Sequence, residues 1–212
     1  HASRSPEALA EAMLDIQTVE ELLLRLGLNA PSFLTKLQTR MAAMLSFFQQ
    51  ADGGILPANG GGDSSNGIGR AAMRPHGAVN SKFSFARLSA YQRIQAEGLT
   101  VYVDAGAGPE RPNGAQAHAG ALALTVDDGP ERLITSCGAN ADLEPIIRDA
   151  ARRTAAHSVL SLNGEDSAVF TFDPATGVRV PEGPPSSLSA GWRRATSISS
   201  RASTVAGASA TG

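Results

Sequence analysis

The chain has 212 residues, 42% of them apolar, and a formal net charge of −2, which is long enough for one or two globular domains. Its 18 basic and 20 acidic residues nearly cancel, and no basic block is dense enough to track phosphates, so a nucleic-acid partner is not expected. Cys137 is the single cysteine and excludes an intrachain disulfide. The sequence starts at His1 with no basic or apolar leader and no run of the length needed for a membrane span, and it reads as a piece of a longer protein.

Ser5-Pro6-Glu7 predicts a helix start: Ser can cap, Pro suits the first helical position and Glu the positive end of the dipole. Leu9, Met13, Leu14, Val19, Leu22, Leu23 and Leu26 then recur to Gly27, which reads as a C-cap. Pro31 opens a second helix, with Phe33, Leu34, Leu37, Met41, Met44, Leu45 and Phe48 on one face. Residues 1–50 are thus expected to form a helical hairpin.

From Ala51 to residue 81 the composition turns to Gly, Asn, Asp and Pro, which predicts a Gly-rich linker. From about Lys82 the period shortens toward two. The runs "FSFARLSAYQRI", "LTVYVDAG", "GALALTV", "RLITSCG", "SVLSL" and "AVFTF" read as strands, separated by the hairpin signals Glu97-Gly98, Asp127-Asp128-Gly129 and Asn163-Gly164. Their spacing predicts an antiparallel sandwich or barrel-like sheet over 82–175, interrupted by the short helical or irregular insertion "LEPIIRDAARRTA". Residues 176–212 end without apolar periodicity and read as a disordered or aberrant tail, with a bias like that of a GC-rich gene in a shifted frame.

Among the histidines, His1 and His76 read as solvated terminal and loop residues. His118 directly precedes a strand, where an imidazole can act as a general base or bond local backbone groups, and the residues alone leave both open. His157 stands between "RRTAA" and a predicted hairpin, either as a structural residue or as a ligand. Cys137 reads as a small buried hydrophobe, and Asp127-Asp128 as turn residues. No GxSxG, Walker, CxxC or HExxH motif is present.

The stretches "RMAAMLSFFQQADGGILPANGGG", "SAYQRIQAEGLTVYVDAG", "AHAGALALTVDDGPERLITSCG" and "RRTAAHSVLSLNGEDS", in that order over about residues 35–168, resemble the heparinase II/III-like family of polysaccharide lyases in its alphaproteobacterial form. The resemblance implies an α+β multidomain fold: the C-terminal end of an α/α toroid over 1–50, followed by part of an antiparallel β-sandwich. It implies cleavage of uronic-acid-containing glycans by β-elimination, an acidic polysaccharide partner, and a periplasmic or envelope location. The implied roles are a catalytic or substrate-facing His118, substrate-binding Arg152 and Arg153, and His157 as a zinc ligand. With most of the toroid outside the sequence, this piece is expected to be inactive alone. A glycan-binding or structural module on the same scaffold is the alternative.

The chain departs from the family's pattern at two places. Where many members carry His-x-His-x-Asp-x-Gly, it reads "AQAHAGA", and where an Asp ligand is expected the chain has a residue near Ser136. The further zinc ligands are therefore not assignable from the sequence.

Overall fold

Ser5 caps the first helix as its sequence predicts: its Oγ accepts the Ala8 amide at 3.2 Å, Pro6 takes the first helical position, and α1 runs Pro6–Arg25. In this computed structural model, which describes residues 2–62, 65–79, 81, 83–139 and 142–182, α1 is followed by α2, Ser32–Phe48. Leu9, Ala10 and Met13 of α1 pack with Ala42 and Leu45 of α2 and with Ile55, forming the helical core. The connecting end of this hairpin carries exposed apolar side chains, among them Leu22, Leu26 and Phe33.

The expected linker contains a third helix, α3, Ser65–Met73, closed by a 3-10 turn over Arg74–His76. Ile68, Ala72 and Met73 place its apolar side on the core of α1 and α2. Its glycines concealed it in the sequence, yet Gly69 is there for space. A Cβ at that position would stand 2.6 Å from Cγ2 of buried Ile55.

Five strands form an antiparallel meander in sequential order: β1 Phe85–Ala86, β2 Tyr91–Ala96, β3 Leu99–Asp104, β4 Leu124–Asp128 and β5 Glu131–Ile134. Glu97 and Gly98, with φ of 48° and 94°, make the two-residue turn between β2 and β3 that their sequence predicts. Alternation sets Tyr91, Arg93, Tyr102, Asp104, Thr125 and Asp127 on the face toward α2. Phe47 and Phe48 at the end of α2 pack there with Leu56, Ala86, Tyr91 and Tyr102. On the opposite face Ile94, Val101, Val126 and Ile134 stand in one cross-strand row. The sheet is not closed, and the fold is α+β.

The insertion is helical: α4 spans Pro145–Ala151, with a 3-10 turn over Thr154–Ala156. The run "SVLSL" is not a strand. Its turn forms, with Asn163 and Gly164 both at positive φ, but only the single bridge Leu162 to Glu165 flanks it. The expected tail begins on ordered backbone instead: β6 Val169–Asp173 pairs with β7 Val178–Glu182 in a separate two-stranded ribbon. Pro181 is tolerated because both strands of such a ribbon are edges. Residues 183–212 of the tail lie outside the described residues. Among the described residues no helix is long and apolar enough to cross a membrane.

Gly69→Ala gains helix propensity of about 1 kcal/mol but drives a methyl into a β-branched side chain of the core. Overpacking costs about 1–3 kcal/mol, so the variant is expected to unfold at lower denaturant concentration than the parent chain. An unchanged or raised midpoint would contradict the packing role given to Gly69.

Candidate functional site

The motif "RRTAAH" does its work on three consecutive residues of another segment. Arg152 Nε donates to Ala117 O at 2.9 Å, Thr154 Oγ1 donates to Ala119 O at 2.7 Å, and the His157 ring stacks on His118 between them. The ring centroids are 4.7 Å apart and the planes 17° from parallel. The grip is returned by the Ala119 amide, which donates to Arg152 O at 2.8 Å. The helical turn of α4 and the 3-10 turn after it supply the spacing that brings residues 152, 154 and 157 to one side.

His118 is held equally firmly from the other side. Its Nε2 accepts the Gly60 amide at 2.9 Å and its own amide donates to Asn59 Oδ1 at 3.2 Å. Asn59 Nδ2 in turn donates to Tyr91 OH at 2.6 Å. Arg4, from the turn before α1, pairs with Asp104, lies over the Tyr91 ring at 5.0 Å and donates to Ser89 O and Ala107 O. The imidazole therefore joins the helical core, the sheet and the β3–β4 connection.

Both histidines are 9% exposed. Burial, then the neighbouring His157 and Arg152 charges, holds the His118 imidazolium well below its usual range. Burial also lowers His157, against the Arg152 main chain and the Asp104 and Asp166 carboxylates, which work the other way. With Nε2 of neutral His118 acting as an acceptor, its proton sits on Nδ1. His157 Nδ1 bonds the Ser136 hydroxyl, while its Nε2 is buried. The space lined by Tyr91, Asp104, His118, Ser136 and His157 is about 20 Å³, room for one water.

The sequence singled out both histidines, and the structure brings them together. It does not turn His118 toward solvent, and it commits the arginines elsewhere. Arg152, 5% exposed, spends its fork on Ala117 O and, at 2.8 Å, on Arg179 O of β7, which docks the ribbon. Arg153 pairs with Asp166 at 2.7 Å and lies 4.5 Å from the centroid of the Phe170 ring. Cys137 is exposed rather than buried, its thiol donating to Ala156 O. His76 is half-buried beside Gln17, and His1 lies outside the described residues.

A resident zinc does not fit this donor set. The metal needs about four ligands, of which a structural site takes nearly all from the protein. Here the Ser136 hydroxyl meets His157 Nδ1, His118 Nε2 is taken by main chain, and among the described residues no three His, Cys, Asp or Glu side chains gather for a metal. Asn59, Asp104, Tyr91 and Arg4 were not singled out by the sequence. Their only signal was the Gly-rich "PANGGG" around Asn59, whose backbone approaches the imidazole.

Residues 78–206 match the model of the family described as heparinase II/III-like, C-terminal. FtsZ-localized protein C of Caulobacter vibrioides is 30% identical over 138 residues, covering 65% of this chain and 24% of that protein. A crystal structure of a heparan sulfate lyase HepC mutant from Pedobacter heparinus superposes with a TM-score of 0.59 at 12% identity, over 82% of this chain and 32% of that one. The latter likeness is one of fold alone. The chain spans 24% of the length of the first of these proteins and 32% of the second.

Two outcomes follow from the grip and the buried rings. Thr154→Val leaves the Ser167 amide without its Oγ1 acceptor and is expected to cost about 1–3 kcal/mol in chemical denaturation. Because His118 resists protonation when folded but not when unfolded, the unfolded state binds more protons in acid, and stability falls as pH drops through the ordinary imidazole range near 6.5. His118→Gln, which retains an acceptor for Gly60, should flatten this dependence, whereas an unchanged slope would contradict the buried neutral imidazole.

Proposed function

Because the chain belongs to the heparinase II/III-like C-terminal family, we propose that it is part of a protein built on the polysaccharide-lyase scaffold and used as a glycan-binding or structural module rather than as a cutting enzyme. On this reading residues 1–50 are the last helices of the toroid, and the strands from about residue 82 onward are the first part of the sandwich.

The observation that carries the reading is the commitment of His118. β-Elimination from a uronate needs a base at the proton beside the carboxylate, an acid at the leaving oxygen and cationic groups for the carboxylate. The Nε2 lone pair that would take the proton already accepts from Gly60. Arg152, which would neutralise the carboxylate, is bound to two backbone carbonyls. Placing His118 at the second histidine of the His-x-His-x-Asp pattern puts Gln116 at the first and Gly120 at the acid. Gln116 is the exposed member of that trio and cannot titrate. The name of the Caulobacter relative speaks of localisation with FtsZ and not of catalysis.

The meeting of His118 and His157 favours a second reading, a working lyase that acts on uronic-acid-containing glycans in the periplasm or envelope and takes its remaining catalytic groups from chain outside this sequence. The two readings separate on incubating the full-length protein with heparan sulfate, chondroitin sulfate and polygalacturonate. The module reading predicts no rise in the ultraviolet absorbance of unsaturated uronates, and a lower thermal midpoint after His118→Ala. A rise that His118→Gln abolishes without lowering the midpoint would establish the lyase and overturn the module.

A further inference from the structure

The end of α2 runs into Gln49-Gln50-Ala51-Asp52-Gly53, a tight turn closed by Gln50 N to Gly54 O and Gly53 N to Gln50 O, each 2.9 Å. This turn faces the polar half of the inner sheet surface, where Arg93 pairs with Tyr102 and Thr100 with Asp127 across neighbouring strands. Between them lies a cleft of about 460 Å³, well apart in volume from the one-water space at the histidines. It falls within the range of small-ligand sites, about 300–1,000 Å³.

Its chemistry is that of a site for hydroxyl groups. Asp127, expected from sequence to be a turn residue, is 2% exposed and accepts Gln50 Nε2 at 2.9 and 3.1 Å. Gln50 is itself 4% exposed, and its buried Oε1 has no hydrogen-bond partner among the described residues. A buried amide oxygen left unmatched is a cost that a donor from a ligand would remove. Thr100 Oγ1 accepts Gln95 Nε2 and keeps its own proton to donate, while the Ser46 and Ser81 hydroxyls, which donate to Ala43 O and Phe83 O, offer lone pairs.

The charges argue against an anion. Arg93 and Asp127 are the charged groups among the described lining residues and they offset each other. The Arg93 guanidinium is taken up by Ser81 O at 3.0 Å, Phe47 O at 3.2 Å and the face of the Phe47 ring. A uronate or sulfate placed here would face the Asp127 carboxyl with no free cationic fork among the described lining residues to meet it. Hydroxyl groups, each both donor and acceptor, match the lining without a charge to desolvate.

We propose that this cleft binds an uncharged, polyhydroxylated ligand of one or two sugar rings, with Gln50 Oε1 and Asp127 as acceptors and Thr100 as a bifunctional partner. The proposal deepens the module reading and rests on it, since it names the part of a glycan that the module holds: a neutral ring rather than the acidic one.

The test is calorimetric titration and ligand-detected NMR of the full chain with cellotriose and chitotriose as neutral probes and trigalacturonate as the acidic one. At least one neutral trisaccharide is expected to bind. Thr100→Val, at a strand position that accepts valine, and Gln50→Met should each weaken it by about tenfold or more, the worth of one well-made hydrogen bond. Thermal melts establish that the variants fold, and Thr100→Val decides by itself if Gln50→Met does not. Absence of neutral binding, or binding that both variants leave unchanged, overturns the cleft assignment. Trigalacturonate binding that survives both variants, without neutral binding, sustains the module reading while overturning this one.

Discussion

The grip of residues 152–157 on residues 117–119 is the constraint from which the rest of the structure follows. Without it, the long connection between β3 and β4 would have little to order it, because it carries no regular element of its own. Arg152 and Thr154 satisfy the carbonyls on either side of His118, and His157 covers its ring. Each bond answers a buried backbone group that would otherwise be a penalty. The same Arg152 reaches β7, so the two-stranded ribbon is fixed by the residue that fixes the histidine.

The helical and sheet halves meet through the partners of that imidazole. Gly60 and Asn59 come from the segment after α2, Tyr91 and Asp104 from the sheet, and Arg4 from the turn before α1. Phe47 and Phe48 supply the apolar part of the junction, in edge and stacked contact with Phe83, Tyr91 and Tyr102. A histidine whose lone pair, ring face and neighbouring amide are all engaged is positioned to transmit packing. On the proposed module reading, the same engagement withdraws it from proton transfer to a substrate, so stability and chemistry compete for one side chain.

Much of this architecture was legible in the sequence, and the exceptions have physical causes. The α1 cap, the apolar face of α2 and the Glu97-Gly98 hairpin are local signals, and local signals fold as written. Helix α3 was hidden because it contains two glycines, of which Gly69 serves packing against Ile55 rather than a turn. Strand β7 is short, contains Pro181 and gains its partner only from β6. The run "SVLSL" has strand composition but, among the described residues, meets β4 only through Leu124 N to Ser158 O and forms no ladder, and pairing, more than propensity, makes a strand. At the site, both histidines carried a signal and the family resemblance named their motif. That Arg152 binds the Ala117 and Arg179 carbonyls could not be read, since a carbonyl acceptor leaves no trace in residue type. Asp127 looked like half of an acidic turn because its partner, Gln50, is 77 positions away.

The account stands most directly on the protonation state of one ring. Nitrogen-15 NMR of the imidazoles in the folded chain reads it without any assay of activity. The account predicts a His118 signal for the neutral tautomer with the proton on Nδ1, unchanged as pH is lowered through the ordinary histidine range near 6.5 while the protein stays folded. A His118 ring that titrates in that range, or that carries its proton on Nε2, would contradict it and return the imidazole to the role of an available base.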